Sequence, residues 1–259
     1  MKKLALYLLA STALLGCGSD NSDSSFNPTP TPTPTPTPSV KLAPGFYSGV
    51  TQENEVLDGL VDDESRLWFT YAEVDSNNDE NVIGFINSNN SVLLNNSKFT
   101  VSGRNYSYDN RSSRIITING NYKSEAINGT FFEQPSNPIT YNLKFDTSLA
   151  KKHTLNLINN KTFNGPLYVT SGTGEAVATI TFTTNGNFTG ADSKGCNITG
   201  KFTPAVSGRY YVSTVTFGQI NCTAAGETHT GVSILDNSDD NLLILATNGS
   251  GGRGMYFGS

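Results

Sequence analysis

The sequence predicts an all-β protein with two antiparallel β domains after a disordered, proline-rich arm. We expect at least the C-terminal domain to be an eight-stranded up-and-down barrel. From Pro44 onward the chain has no long helical periodicity. Short runs rich in Val, Ile, Thr, Tyr and Phe alternate there with clusters of Gly, Asn, Asp and Ser. This punctuation is typical of strands separated by turns.

The body is predicted to divide into residues 44–147 and residues 148–259, with about eight strands in each part. In the first part the candidate strands lie near 45–51, 55–61, 66–74, 81–87, 98–103, 113–122, 126–132 and 139–145. In the second part they lie near 162–169, 176–184, 187–191, 196–203, 209–218, 228–235, 242–247 and 253–258. Closure of a sheet removes its exposed edges. The expectation is therefore two eight-stranded barrels, or a half-open sheet followed by a barrel.

The clearest hairpin signal is Asn185-Gly186, which lies between two apolar-alternating runs. Asn-Gly supplies the positive φ angles of a type I′ turn. Ile180, Phe182 and Phe188 would then share one face of the hairpin. A second pair of strands is predicted on either side of the polar Asp236–Asn241 loop.

The two parts of the body show a weak internal similarity. The first opens with Gly45-Phe46-Tyr47-Ser48-Gly49, and the second with Thr162-Phe163-Asn164-Gly165. Each part later contains a glycine two residues before an aromatic residue, at Gly120 and at Gly200. Whether the halves are true duplicates stays open at this point.

The N-terminus has the pattern of a secretory signal over residues 1–16. Met1-Lys2-Lys3 is basic, and Leu4–Leu15 is an apolar run too short to span a bilayer. Leu14-Leu15-Gly16-Cys17 resembles the lipobox of bacterial lipoproteins, with Leu15 where a smaller residue is commoner. That resemblance implies that Cys17 becomes the lipidated mature N-terminus and, because Gly18 rather than Asp follows, that the destination is the outer membrane. An ordinary signal peptide with an incidental cysteine is the alternative.

Residues 17–43 are predicted to be a linker between the lipid anchor and the body. Pro28–Pro38 alternates proline with threonine, which removes every second amide donor and favours polyproline II. Eleven such residues at ~3.1 Å each form a strut of about 34 Å. A spacer is favoured over a ligand for proline-recognition domains.

Composition limits the partners and the redox chemistry. The formal charge is -5 for the whole chain and about -7 once Lys2 and Lys3 are removed, which argues against nucleic acid as the main partner. Three cysteines are present, and one of them is the proposed anchor. In an oxidising compartment the remaining pair, Cys196 and Cys222, is predicted to form a structural disulfide.

A two-part β body on a lipid anchor and a proline-rich arm resembles the surface lipoproteins of Gram-negative bacteria, including the transferrin-binding and factor H-binding types. Those proteins end in an eight-stranded barrel whose last strand is rich in Gly and Phe. Gly251–Gly258 has this character here. The resemblance implies an outward-facing binding protein and transfers no ligand or contact residue.

Catalytic motifs are absent from the sequence, and we expect neither an enzyme nor a cofactor. The two histidines, His153 and His229, belong to no zinc or hydrolase motif. The acidic residues cluster at 62–64, 75–80 and 236–240, where we expect solvated turns.

One acidic cluster partly matches a calcium-binding loop. Asp75, Asn77 and Asp79 reproduce its alternating oxygen ligands. Glu80 stands where the loop needs Gly, and Ile86 stands where it needs a bidentate Glu. The sequence therefore gives only a weak calcium candidate.

Two aromatic segments are candidate surfaces. Trp68-Phe69-Thr70-Tyr71 would place aromatic rings on both faces of one strand, which is typical of a core strand packed against a neighbouring domain. An exposed aromatic face is the alternative. Arg104–Arg111 is polar and aromatic, and indicates either a binding loop or a long turn.

Together these features predict a surface-exposed outer-membrane lipoprotein with a non-catalytic binding or structural role. Its partners would be the membrane, through the lipid anchor, and a protein or small-molecule ligand. The alternative function is a periplasm-facing, lipocalin-like carrier of a small apolar ligand.

Overall fold

A computed structural model of the chain describes residues 40–108, 111–123, 125–148, 152–172, 175–236 and 240–259. These described residues form one compact unit. Its first strands are β1 Val40–Lys41, β2 Gly45–Thr51, β3 Val56–Val61, β4 Leu67–Val74, β5 Glu80–Ser88, β6 Leu93–Leu94, β7 Lys98–Ser107, β8 Ser112–Lys123, β9 Ala126–Phe132 and β10 Ile139–Phe145. The strands that follow are β11 Thr162–Val169, β12 Ala176–Phe182, β13 Asn187–Asp192, β14 Asn197–Pro204, β15 Tyr211–Phe217, β16 Thr228–Asp236, β17 Asn241–Asn248 and β18 Gly254–Gly258.

These strands close into two antiparallel barrels. In the N-terminal barrel, strands β2, β3, β4, β5, β7, β8, β9 and β10 neighbour one another in chain order, and β10 pairs with β2 to close the ring. The C-terminal barrel runs from β11 to β18 in the same way, and β11 pairs with β18. Both are therefore up-and-down barrels, and the half-open sheet considered for the first part is excluded.

Every strand predicted from the sequence is present. The two-residue strands β1 and β6 were not predicted, because a pair of residues has no periodicity to detect. Two short 3₁₀ helices, Leu155–Leu157 and Thr184–Gly186, complete the regular structure of the described segments.

The hairpin at Asn185-Gly186 is confirmed, but its predicted turn type is wrong. Asn185 and Gly186 both have positive φ, as expected. The paired residues are Thr183 and Asn187, so the loop has three residues rather than the two of a type I′ turn. Gly186 is buried, and a Cβ there would overlap the Phe202 carbonyl oxygen and the Leu155 side chain.

Glycines opposite aromatic rings recur in both barrels. Gly120 lies directly across from Phe99 in one barrel, and Gly200 lies across from Phe188 in the other. A Cβ at either glycine would overlap the ring of its partner. An eight-stranded barrel is just wide enough for side chains to fill, so a large ring on one strand requires a missing side chain opposite it. This geometry explains the glycines at 120 and 200, and the rings that they accommodate lie on the neighbouring strands.

The opening motif of each half contains a glycine at the strand pair that closes its barrel. A Cβ on Gly49 of β2 would overlap the backbone of Asn142 in β10. A Cβ on Gly165 of β11 would overlap the backbone of Gly258 in β18. In each barrel a glycine on the first strand thus allows the last strand to approach closely enough to pair.

Both barrel interiors are filled by large side chains. The buried core of the N-terminal barrel contains Tyr47, Leu57, Phe69, Ile86, Phe99, Ile116, Ile118, Phe131, Tyr141 and Leu143. The buried core of the C-terminal barrel contains Phe163, Ile180, Phe182, Phe188, Ile198, Phe202, Tyr211, Phe217, Ile244, Met255 and Phe257. The predicted inward face of Ile180, Phe182 and Phe188 is confirmed. Rings such as Phe182 and Phe202, whose centroids are 4.9 Å apart, occupy the space in which a lipocalin would hold a ligand.

Candidate functional sites

The predicted disulfide is present. Cys196 and Cys222 are joined, with their Cα atoms 4.7 Å apart. The bridge ties the β15–β16 loop to the start of β14, and Cys196 and Ala224 are both buried in the barrel core. Its place is structural, because it closes one end of the C-terminal barrel. Cys17 and the signal segment lie outside the described residues.

The Asp75–Asp79 segment forms the turn between β4 and β5. One carboxylate oxygen of Asp75, Oδ1, accepts the backbone N–H groups of Asn77 at 2.8 Å and Asp79 at 2.9 Å. These bonds explain Asp75 as the acceptor of an Asx turn, and they use only the backbone of Asn77 and Asp79. In the described part of the chain, no group of three or more His, Cys, Asp or Glu side chains is arranged to hold a metal ion. Calcium binding by this turn stays a prediction.

Asp62 corrects the expectation that the acidic cluster at 62–64 is a solvated turn. Its side chain is 0% exposed. One oxygen accepts the N–H groups of Glu64 at 2.9 Å and Arg66 at 2.8 Å, and the other accepts Arg66 Nε at 2.8 Å and Trp68 Nε1 at 3.1 Å. Four donors replace water around the carboxylate, so the charge can be buried.

Trp68 lies on the outer face of the N-terminal barrel and is buried against the C-terminal barrel. The interface cluster contains Phe46, Leu60, Trp68, Phe85, Tyr106 and Tyr108 from the first barrel and Ala205, Tyr210, Val232, Leu245 and Tyr256 from the second. Phe69, the next residue, points into the barrel core. The interpretation of this strand as one packed on both faces is confirmed.

The sequence left either a binding loop or a long turn open for the Arg104–Arg111 segment, and the described residues up to Ser107 form neither. Residues up to Ser107 belong to β7, and Tyr106 and Tyr108 are buried in the interface. The Tyr106 hydroxyl donates to the carbonyl of Gly251 at 2.8 Å, and Tyr108 stacks on Tyr168 with ring centroids 4.8 Å apart. The mixture of polar and aromatic residues arises because these aromatic rings face a second barrel rather than solvent.

Both histidines are buried in or beside the C-terminal barrel. His153 Nε2 accepts the N–H of Leu235 at 3.0 Å. His229 lies in β16, and its Nε2 is 3.0 Å from Glu227 Oε2. Burial lowers the pKa of His229, and the Glu227 carboxylate partly offsets this effect. Glu227 also accepts from Asn248 and Arg253.

Three clefts run along the interface between the barrels. Their volumes are about 530, 450 and 440 Å³, within the range of ordinary ligand sites. The 440 Å³ cleft is mainly apolar, with walls that include Leu60 and Leu243, and Asp58 lies in it. Desolvation by the walls, together with the nearby charges of Glu80 and Asp146, raises the pKa of Asp58 to about 6. These clefts are candidates that sequence reasoning missed, because they exist only once the two barrels pack together.

Three of the four barrel ends are closed by described residues. The C-terminal barrel is closed by the disulfide at one end and by Ile158 with the 3₁₀ helix Leu155–Leu157 at the other. One end of the N-terminal barrel is closed by Leu42 and Val92, both buried in its core. The backbone of both residues bonds to Ser65.

The fourth end contains a cavity of about 190 Å³, which we call the mouth pocket. It is lined by residues of the β2–β3 and β9–β10 connections together with residues of β4, β5, β7 and β8. Its lining residues are Thr51, Glu55, Leu57, Tyr71, Ile86, Asn105, Ile116, Phe131, Glu133, Ser136, Asn137 and Ile139. An apolar floor beneath a few polar groups is the usual composition of a small-molecule site.

Comparisons with known proteins do not assign the chain to a family. No protein-family model matches the chain, and no curated protein matches it in sequence. Among solved structures, it is similar to a crystal structure from Bacteroides fragilis described as a "putative outer membrane protein". The identity is 16%, over 85% of this chain and 96% of that chain, and the TM-score is 0.25. A likeness at this level carries no argument about function. Among the described residues, no helix is long and apolar enough to cross a membrane.

Proposed function

We propose that this chain is a lipid-anchored outer-membrane lipoprotein whose body faces the cell exterior and has a non-catalytic binding role. The anchor would be Cys17, and the Thr-Pro arm would hold the body away from the lipid headgroups. The support for this location is the lipobox-like Leu14–Cys17 sequence and the sequence pattern of the arm.

The observation that favours a binding role is the packing of two filled barrels into one unit. Because large side chains occupy both interiors, the main spaces for a partner lie on the outside, in the clefts of about 440–530 Å³ between the barrels. Hydrogen bonds between the two barrels hold the barrels in position on either side of these clefts. Asp63 Oδ2 accepts the N–H of Ser207 at 2.9 Å, and the N–H of Asp63 donates to the Tyr210 hydroxyl at 3.0 Å. A rigid cleft loses little conformational freedom on binding.

The non-catalytic part of this proposal is supported by the hydrogen bonds of two acidic side chains. The buried Asp62 accepts hydrogen bonds from Arg66 and Trp68, and the partly exposed Glu227 bonds to His229 and Arg253. Moving a proton with either group would require giving up bonds that hold the fold.

Protease treatment of intact cells tests the location. We expect cleavage in the arm to release the body, while a periplasmic marker in the same cells stays intact. A chain with Cys17→Ser should lose membrane attachment but keep a folded body. Digestion only after the outer membrane is permeabilised would contradict surface exposure, and an unchanged membrane fraction for Cys17→Ser would contradict the anchor.

A second candidate is a periplasm-facing carrier of a small ligand, favoured by the mouth pocket. Its cavity of about 190 Å³ falls below the usual 300–1,000 Å³ of sites for drug-sized ligands. A lipocalin-like carrier would therefore be limited to a very small cargo, which makes this the weaker of the two proposals.

A further inference from the structure

The mouth pocket combines a closed apolar floor with one carboxylate that has no cationic partner. The floor consists of Leu57, Ile86, Ile116 and Phe131, each less than a tenth exposed. A cavity of about 150 Å³ lined by Leu, Ile and Phe can stay dry and accept benzene. At about 190 Å³, the mouth pocket has room for one aromatic ring and a short chain.

On one side of the rim, hydrogen bonds link Tyr71, Asn105 and Glu133, and Arg114 neutralises the charge of Glu133. The Tyr71 hydroxyl donates to Asn105 Oδ1 at 2.8 Å, and Asn105 Nδ2 donates to Glu133 Oε2 at 3.2 Å. Arg114 donates to Glu133 Oε1 at 2.8 Å. These bonds hold Glu133 as a paired carboxylate and fix the position of Asn105.

Glu55, another carboxylate of the rim, is not balanced in this way. It is half-buried, and it accepts a hydrogen bond from Thr51 Oγ1 at 3.1 Å. Among the described residues, no Lys or Arg lies within ion-pairing distance of it. Burial raises the pKa of Glu55, and the charges of Glu53 and Glu73 raise it further. A cation beside Glu55 would relieve this unfavourable environment.

Glu55 and Glu133 both lie near the Tyr71 hydroxyl, because the charge of each raises the pKa of Tyr71 beyond the effect of burial. Burial is the main cause that raises the pKa of Tyr71, and the charges of Glu55 and Glu133 both add to it. The two carboxylates therefore both act on the hydroxyl at the rim. An anionic ligand would meet both charges, whereas a cationic one would meet an unpaired carboxylate on the rim.

We propose that the mouth pocket binds a small organic ammonium ion, with its apolar body on the floor and its ammonium group at Glu55. The ligand class is a primary amine that carries one ring or a short branched chain. The site goes beyond the proposed function, because it does not depend on the membrane anchor or on which side of the membrane the body faces.

The test is calorimetric titration of the full chain carrying Cys17→Ser, with 2-phenylethylammonium as the probe. Its anionic counterpart of similar shape, 3-phenylpropionate, is titrated in parallel. We expect the ammonium ion to bind at least about tenfold more tightly than the carboxylate, because only the former can form a charge-assisted bond. Glu55→Gln should remove that preference, and Glu53→Gln, which changes an exposed neighbouring carboxylate, should keep it.

A second variant tests the apolar part of the site. Ile139 lies at the rim and is only partly buried, so Ile139→Phe should fill the opening without overpacking the core. It should weaken binding of the ammonium ion while the thermal unfolding midpoint changes little. The proposal is overturned if the ammonium ion does not bind at about 10 mM. It is also overturned if both ions bind equally, or if Glu55→Gln and Glu53→Gln act alike. None of these results bears on surface exposure, which is measured separately on cells.

Discussion

Replacing Asp62 by alanine should strongly destabilise the body. The change removes an acceptor that receives four donors, and it leaves the buried indole N–H of Trp68 and the guanidinium of Arg66 without their partner. Removing one member of a fully buried ion pair costs about 3–5 kcal/mol, and because the Arg66 side chain is 34% exposed this range is an upper bound here. For a unit of this size, that loss lowers the unfolding midpoint by roughly 6–20 °C.

The assay is urea unfolding followed by tryptophan fluorescence. Trp68 is the single tryptophan and lies in the interface between the barrels, so its emission reports on the region that Asp62 supports. Glu64→Ala is the matched control, because the Glu64 side chain is 67% exposed and pairs with the same Arg66 at 3.4 Å. We expect the control to change the free energy of unfolding by less than about 1 kcal/mol. A similar small loss for Asp62→Ala would refute the view that this carboxylate is a structural centre.

Other substitutions test the barrels and the cleft. Cys196→Ser should lower the free energy of unfolding by about 3.5 kcal/mol under oxidising conditions, since the bridge closes a loop with a sequence separation of 26; an unchanged melting temperature would contradict this role. Gly200→Ala should destabilise the C-terminal barrel, because a Cβ there overlaps the Phe188 ring, whereas Gly249→Ala has open space and should be neutral in the same thermal melt. Asp58 has its pKa raised from 3.8 to about 6 in the folded state, so the stability from this group is greatest at low pH and is lost as pH rises from 3.8 through 6. Asp58→Asn should therefore raise the free energy of unfolding at pH 7, and it should weaken the pH dependence of that free energy, measured by urea unfolding, between pH 3.8 and 6. A lower stability of the variant at pH 7 would show that the carboxylate has a favourable partner.

The barrels could be predicted from the sequence because their signal is local. Alternation such as that of Ile180, Phe182 and Phe188 shows which side chains share a face, and the glycine and asparagine clusters mark where each strand ends. The turn at Asn185 is one residue longer than the two-residue turn that Asn-Gly favours. Gly186 is buried there, where a Cβ would overlap Leu155 and Phe202, and local turn preferences do not include such surroundings.

The candidate sites could not be predicted in the same way, because they depend on which outward-facing residues meet. Tyr106 and Tyr108 have the sequence pattern of an exposed loop, and only the second barrel buries them. Glu55 looks like any other turn acid until the closed ring of strands places it at the mouth pocket with Glu133. A strand pattern gives the inner and outer faces of a barrel, but it does not give the partner of the outer face.

The two ends of the N-terminal barrel have different roles: the acidic turn at 62–64 contacts the C-terminal barrel, and the opposite end holds the mouth pocket. At one end, Asp62 holds Trp68 in the interface, Asp63 bonds to the C-terminal barrel, and Ser65 fixes the residues that close the interior. At the other end the rim groups bond mainly to one another, and Glu55 keeps an unpaired carboxylate. The groups that join the barrels are thus separate from those that would contact a ligand in the mouth pocket. A chain organised in this way can bind a small cation at one end of the barrel without disturbing the contacts that hold its two halves together.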